Sequence, residues 1–470
     1  MMRALSWRSP SLWGLVLLPL AALAVRLAYA ATLPPQIVVS FEADPLTYDQ
    51  IARNLVAGRG FSGASFYYPP GTDVPTAFWD ALYPLFLAAI YATVGHSVPA
   101  VRVAQAVLGA VAVAGTFVLG RQLVRPAVGL VAAAISAFYP FFIYYSGQLL
   151  TETLFMALVV WLFVAGYKAV EARSARWFAV FGVLAGLAAL CRAEVFLFGP
   201  LFILWCAWRS SKLPLRRLRL AGVAGLTMLL VMLPWGLRNE ATHGQLILTT
   251  TKLGYNLYKY YHPTMTADQT VRTVPFPDFG DRSEPQREAV MRAEGQEFML
   301  QDPARTLWFM ANKLVLLFKL TPSNEVNRQY ALVSVLSYGL LLPFMCAGFY
   351  LGARRGGRFL PVLAYILFSI ATKAAVFAGI RLRMQIEPFL ILLAALAIVT
   401  AAERLLAAAR GAGWRPAWPA RGPGERHHAG QAGHGRDRPG GRPAALAGVM
   451  ALAGTAAVPV RVRAAASQTG

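Results

Sequence analysis

Apolar residues in this chain fall into long runs separated by short polar stretches, a pattern that predicts membrane-spanning helices. Ten segments carry it: 11–31, 98–120, 127–145, 150–167, 177–191, 193–208, 219–236, 330–352, 359–379 and 385–403. Two others, 80–95 and 305–320, are shorter or more polar. The stretch 40–62 is different. Tyr48, Ile51, Ala52, Leu55 and Val56 share one helical face, Asp49, Gln50, Arg53 and Asn54 take the other, and Gly58 and Gly60 follow the end. This predicts a short amphipathic helix along the membrane surface, holding Glu42 and Asp44 just outside the bilayer. Residues 285–300 read as a helix, and Asp302-Pro303 starts the next. Residues 411–470 are a Gly/Pro/Arg/Ala stretch expected to be disordered.

Composition supports the pattern. Hydrophobic residues make up 57% of the 470 and charged residues only 14%, against about 25% charged in soluble domains. The fold class is therefore an α-helical polytopic membrane protein, with about 10–12 membrane helices and two external loop regions that carry interfacial helices. The net charge of +22 would suggest nucleic acid in a soluble protein. No basic run here is interleaved with aromatics away from a membrane flank, so no nucleic-acid partner is expected. The three cysteines, Cys191, Cys206 and Cys346, have no metal-ligand spacing, and His427, His428 and His434 read as compositional.

The charge instead orients the helices, because cytoplasmic loops collect Lys and Arg. If 80–95 and 305–320 lie at the interface without crossing, one face gathers Arg121 and Arg125, Lys168 to Arg176, Arg209 to Arg219, and Arg354 to Arg358, together with Arg3, Arg8 and the Arg-bearing tail. Both termini then lie inside. The organisation expected is a first membrane helix within 1–31, an external loop at 32–97, membrane helices over 98–236, an external region at 237–329 ending in an interfacial helix, membrane helices over 330–410 and a cytoplasmic tail at 411–470. Ala28, Ala30 and Ala31 resemble a cleavage site, but the length of 11–31 favours a retained span.

Several polar residues then fall at outer helix ends: Thr151 and Glu152, Arg192 and Glu194, Arg238, and Arg381, Arg383 and Glu387. Charges within membrane segments are costly and so point to function, although each alone reads as a snorkelling or paired interfacial charge. Together, arginines beside carboxylates suit a lipid phosphate next to a general base, since a guanidinium offers paired donors. Asp44, followed by Pro45, reads equally as a helix N-cap and as a carboxylate presented to substrate. Asp80, near Tyr83, reads as a second carboxylate or as a solvated helix start. The aromatics of a Tyr-dense stretch beside Lys252 and Lys259, with the amide of Asn256, read as sugar contacts or as part of a folded external cap.

The run 40–62, the PTAF…LYPLFLA stretch, RVAQAVLGAVAV…LGRQL (102–123), SGQLLTETLF (146–155), LCRAE (190–194), PWGLRN (234–239), GYNLY (254–258) and RLRMQIEPFLILLAAL (381–396) follow one another in an order that resembles a single family. It is the bacterial branch of the C-type (GT-C) glycosyltransferases, akin to dolichyl-phosphate-mannose-protein mannosyltransferases and to the transferases that place aminoarabinose on lipid A. The resemblance spans about residues 11–405. It implies a polyprenyl-phosphate-linked sugar as donor and a glycan, lipid or protein acceptor at the outer face of a bacterial inner membrane. It also implies inverting transfer with Asp44 as base, and Arg192, Arg381 or Arg383 meeting the charge on the leaving phosphate; Asp80, from its own placement, joins Asp44 as the second expected catalytic carboxylate. Glu42, Tyr48, Tyr83, Glu152 and Asn256 complete the expected substrate-binding set.

The chain departs from the family where paired prolines are replaced by Trp79-Asp80-Ala81, an Arg-Tyr-Arg turn by Arg381-Leu382-Arg383, and Arg-Pro-Glu by Arg192-Ala193-Glu194. These changes bear on loop geometry and acceptor class. No cofactor is indicated. A divalent metal is compatible with the chemistry, but no compact ligand cluster calls for one. Two other functions share parts of the pattern. An O-antigen ligase or polymerase would share the large outer loop without needing the first-loop Asp. A transporter or flippase would place charges or broken helices at mid-bilayer.

Overall fold

The computed structural model describes residues 10–38, 44–68, 72–266, 274–320 and 328–409. Glu42 and the stretch 411–470 lie outside the described residues. In chain order the helices are α1 (Leu18–Thr32, continued back to Pro10 through a π turn), α2 (Asp44–Val56), α3 (Leu82–Val94), α4 (Val98–Leu123), α5 (Pro126–Phe138), α6 (Pro140–Ser146), α7 (Glu152–Ala172), α8 (Ala175–Cys191), α9 (Glu194–Ser210) and α10 (Pro214–His243). There follow α11 (Lys252–Tyr261), α12 (Glu284–Gln301), α13 (Pro303–Phe318), α14 (Leu340–Arg354), α15 (Leu360–Ala375), α16 (Ile380–Arg383) and α17 (Glu387–Ala409). Two short antiparallel strands, Ser62–Gly63 and Val74–Pro75, pin the first loop on itself.

Among the described residues six helices are long and apolar enough to cross a membrane, or seven if α5 and α6 form one span. The shorter α3, α8 and α15 are also apolar. At 17 residues, α8 rises about 25 Å, slightly under the hydrocarbon thickness of about 30 Å; the 13 residues of α3 rise only about 20 Å.

Three expectations need correction. Segment 127–145 is not one straight helix but bends by 53° between α5 and α6. Tyr139 is extended there (ψ 118°), as a residue before proline is driven to be. The helix over 219–236 does not stop at Trp235 and Gly236; α10 runs on to His243, and Gly244 ends it with φ +72°. Finally, α2 does not lie with one polar face open. Asp49 and Asn54, on its expected outer side, are both buried. Asp49 accepts from Tyr91 Oη at 2.7 Å and from Arg53 Nε at 2.9 Å, and Asn54 donates to Ser62 O at 2.9 Å. Part of the polar side, Asp49 and Asn54, is thus covered because it has polar partners, while Arg53 stays exposed; an apolar-face reading cannot foresee those partners.

Packing follows small residues, as is usual where helices meet in a membrane. Helix α8 meets α10 through Gly182 and Gly186, where an added Cβ would lie 2.1 Å from Ala224 O and 2.8 Å from Met228 O. Helix α14 crosses α17 at Gly348, against Leu393 O. The first half of α17 is buried from Glu387 to Ala397. The loop elements α2, α3, α11 and α12 gather beside the ends of α7, α8 and α17.

Candidate active site

The site grows from the ends of four elements. Asp44 is the first residue of α2, Glu152 the first of α7, Arg192 the residue after α8, and Arg381 belongs to the one-turn helix α16. Helix ends expose unpaired backbone groups and change direction, so side chains from several elements can converge there.

Arg381 joins them. Its Nη1 donates to Asp44 Oδ2 at 2.9 Å, its Nη2 to Glu152 Oε2 at 3.5 Å, and its Nε to Glu152 Oε1. Arg192 approaches the same carboxylate from the opposite side, Nη2 lying 2.6 Å from Glu152 Oε1 and 2.8 Å from Thr151 Oγ1. Exposure differs among these charges and is greatest at Asp44. The Glu152 side chain is 0% exposed, Arg192 15%, Arg381 13% and Asp44 25%. Asp44 is therefore the member open to a substrate. Arg192 Nε is buried and has no acceptor among the described residues, leaving an uncommitted cationic donor at the site.

Asp80 and Lys252 form a second pair, at 3.3 Å. Lys252 Nζ also lies 4.4 Å above the Trp79 ring, and Trp79 packs edge-on against Tyr48 at 5.2 Å. Tyr48 in turn meets Tyr83 at 5.2 Å, whose hydroxyl donates to Gln105 Oε1 at 2.8 Å. Tyr48 and Tyr83 thus form the wall behind the carboxylates. Burial raises the Asp44 carboxyl above its ordinary value, and Lys252, Arg192 and Lys259 only partly oppose that rise while Asp80 adds to it. Burial lowers the Lys259 ammonium, with Asp44 working against the shift. A carboxylate held in this way is a stronger proton acceptor than one in water.

The expected residues divide. Asp44, Glu152, Arg192 and Arg381 are brought together, and Asp80 lies within electrostatic reach of Asp44. Arg383 is not part of this cluster, which corrects the reading of Arg381 and Arg383 as alternatives. Its side chain is fully buried, with Nε 2.6 Å from Glu387 Oε1 and its guanidinium 3.5 Å from the Tyr338 ring centroid. Arg238 is likewise structural, donating to Thr76 O at 2.9 Å and Phe61 O at 2.6 Å. Asn256 is half-buried on α11 and makes no side-chain hydrogen bond among the described residues. Among the described residues Asp44 makes no capping bond to the backbone of α2; its Oδ2 accepts from Arg381. Absent from the expected site set are Lys252, Lys259 and the Trp79 ring. Among the described residues no group of three or more His, Cys, Asp or Glu is placed to hold a metal ion.

The fold is similar to that of a solved membrane oligosaccharyltransferase. Two solved structures of the oligosaccharyltransferase from Archaeoglobus fulgidus resemble it, the apo form with a TM-score of 0.51 and the complex with an inhibitory peptide and a dolichol-phosphate with 0.50. Sequence identity is 16% in both, over 84% and 85% of this chain and 52% of that protein, so the chain spans about half its length. ArnT from Cupriavidus metallidurans, bound to undecaprenyl phosphate, is 14% identical with a TM-score of 0.38, covering 84% of this chain and 79% of that one. Residues 80–236 match the family model described as dolichyl-phosphate-mannose-protein mannosyltransferase. No curated protein sequence matches. The chain is a membrane protein that resembles the C-type glycosyltransferases, mannosyltransferase-like in the matched segment.

Proposed function

We propose that the chain transfers a sugar from a polyprenyl-phosphate-linked donor to an acceptor at the outer membrane face, with inversion at the sugar carbon and Asp44 as base. One observation carries the reading: a partly exposed carboxylate, raised by burial, is joined through Arg381 to a buried Glu152–Arg192 pair. Asp44 would take the acceptor hydroxyl proton as the acceptor oxygen bonds to the anomeric carbon. The bond from that carbon to the phosphate oxygen breaks on the opposite side, and the polyprenyl phosphate departs with the electron pair. Arg192, with its unpaired Nε–H, and Lys252 are the donors suited to that developing charge.

The dolichol-phosphate held by the archaeal oligosaccharyltransferase is of the same chemical class as the lipid carrier that the donor proposed here would leave behind. The charges also cluster at helix ends, where a transferase needs them, and not at mid-span, where a transporter would.

The test is Asp44→Asn in the full chain reconstituted in lipid nanodiscs. Transfer from a panel of polyprenyl-phosphate sugars should fall by about 10²–10⁴-fold, with undecaprenyl phosphate binding and thermal unfolding retained. Normal turnover by the folded variant would end the proposal for Asp44.

A further inference from the structure

The first loop and the segment after residue 273 enclose a cavity of about 620 Å³, within the 300–1,000 Å³ typical of small-molecule sites. Its lining includes Phe66, Tyr68, Trp79, Phe276 and Phe279, with Thr47, Ser65 and Asp278 among the polar groups. Phe66 and Phe276 keep 42% and 52% of their surface exposed, although isolated phenyl rings in a loop gain by burial. Instead they flank Tyr255: Phe66 stacks on it at 4.8 Å and 12°, and Phe276 at 6.2 Å and 22°. Three rings are thus held nearly parallel, two of them open.

The cavity adjoins the carboxylate cluster. Trp79 lines it and carries Lys252 on its face. Thr47 lines it one helical turn beyond Asp44, on the same face of α2. Its charge is informative. Arg287, the cation among the lining residues, is committed to the backbone carbonyls of Tyr67, Arg282 and Gly280. Those carbonyls are neutral, so the Arg287 charge stands and is balanced by Asp278; the lining offers an ion no net charge.

We propose that this cavity binds the acceptor, and that the acceptor is a neutral saccharide. The inference rests on the glycosyltransferase reading and deepens it. The C–H faces of a pyranose carry slight positive charge and lie well on the negative faces of aromatic rings, while its hydroxyls meet Thr47, Ser65 and Asp278. A phosphorylated lipid headgroup would find no net positive charge there.

The test overlays the full chain in nanodiscs on an immobilised array of neutral oligosaccharides, acidic oligosaccharides and peptides, with undecaprenyl phosphate binding measured in parallel. Neutral saccharides should be retained, and Phe66→Ala and Phe276→Ala should each weaken retention at least about fivefold, as loss of one stacked ring implies. Both positions are exposed, so neither change should unfold the chain. Retention only of peptides or acidic sugars, no saccharide retention, or retention indifferent to both Phe variants would overturn the inference. Donor binding without saccharide retention removes this inference alone, whereas loss of donor binding in the unmodified chain removes the glycosyltransferase reading beneath it.

Discussion

Replacing Arg381 by Lys tests the centre of the site with the least disturbance, because the net charge is unchanged. The guanidinium presents three nitrogens to two carboxylates, Nη1 to Asp44 and Nε with Nη2 to Glu152. A lysine ammonium is a single point charge on a flexible stem and cannot span both in that geometry. Glu152, fully buried and out of reach of water, should keep the cation as well as its bond from Arg192. Asp44, at 25% exposure, would fall back on water. The loss is then one charge-assisted hydrogen bond that orients the base, about 1.5–3 kcal/mol, or roughly 10- to 150-fold in kcat/KM. Asp44 acts as base only when ionised, and its carboxyl is already raised by burial. Removing the guanidinium bond should raise it further, so the acidic limb of the pH–kcat/KM profile should move to higher pH. The assay is sugar transfer in nanodiscs across pH, with thermal unfolding as the control for folding. A folded variant within about threefold of the unmodified chain, or an acidic limb that stays or moves to lower pH, would refute the positioning role.

Glu152→Gln keeps the shape but leaves two buried guanidiniums facing a neutral amide; stability should fall by about 3–5 kcal/mol, read as a lower unfolding temperature in detergent. At the α8–α10 crossing, Gly182→Val would drive a side chain into Ala224 O, where even a Cβ would lie 2.1 Å away. Overpacking of this kind costs about 1–3 kcal/mol and should appear as earlier thermal unfolding. Lys313 is 1% exposed, with Nζ 2.9 Å from Val376 O, and burial lowers it to about 7. Below pH 7 it is protonated in both folded and unfolded chains, so the cost of burying charge is fully present. As pH rises from 7 toward the ordinary lysine value the unfolded chain binds more protons, so this contribution to stability should climb. Lys313→Met should lack that climb in denaturant titrations at pH 6 and pH 9; an identical pH dependence in both proteins would count against it.

The helical architecture was legible because the bilayer imposes one rule on every spanning segment: backbone polar groups must pair internally and side chains must be apolar. That rule finds segments but not their ends. The run at 127–145 is apolar throughout, so composition passes over Pro140, and only the local constraint on Tyr139 shows the bend. In the same way, α10 outlasts its apolar stretch because helix propagation needs backbone hydrogen bonds, not hydrophobic side chains, and it stops where Gly244 can adopt a positive φ. The amphipathic reading of α2 failed for a third reason. Periodicity assumes that polar means exposed, yet Asp49 is buried against Tyr91, some 42 residues away in sequence, and no local pattern carries that information.

The site was legible to the degree that its members are ionisable groups at the ends of apolar segments. Asp44, Glu152, Arg192 and Arg381 stand out for that reason, and the structure brings them into one network. Arg383 stands out by the same criterion and yet is sealed against Glu387 and Tyr338. The criterion cannot separate them, because residues two apart on one helical turn point to different sides. Only the partners at those sides decide. For Arg383, the partner lies four positions downstream at Glu387, the favoured spacing for a helical ion pair, which argues for a local structural role; for Arg381, no acidic residue lies three or four positions away on either side, so its charge had to be met from elsewhere in the fold. The lysines hold a second overlooked signal. Arginine dominates the basic residues here, and four of the few lysines, Lys252, Lys259, Lys313 and Lys319, crowd into one stretch. A chain that otherwise uses Arg keeps Lys where a compact ammonium has room and a planar fork does not, as above the Trp79 ring at 4.4 Å. Lys252→Arg should therefore disturb the Trp79–Asp80 corner as much as Lys252→Met does, seen as equal weakening of undecaprenyl phosphate binding. Full binding by the arginine variant would show that charge alone, and not its compactness, is what that position supplies.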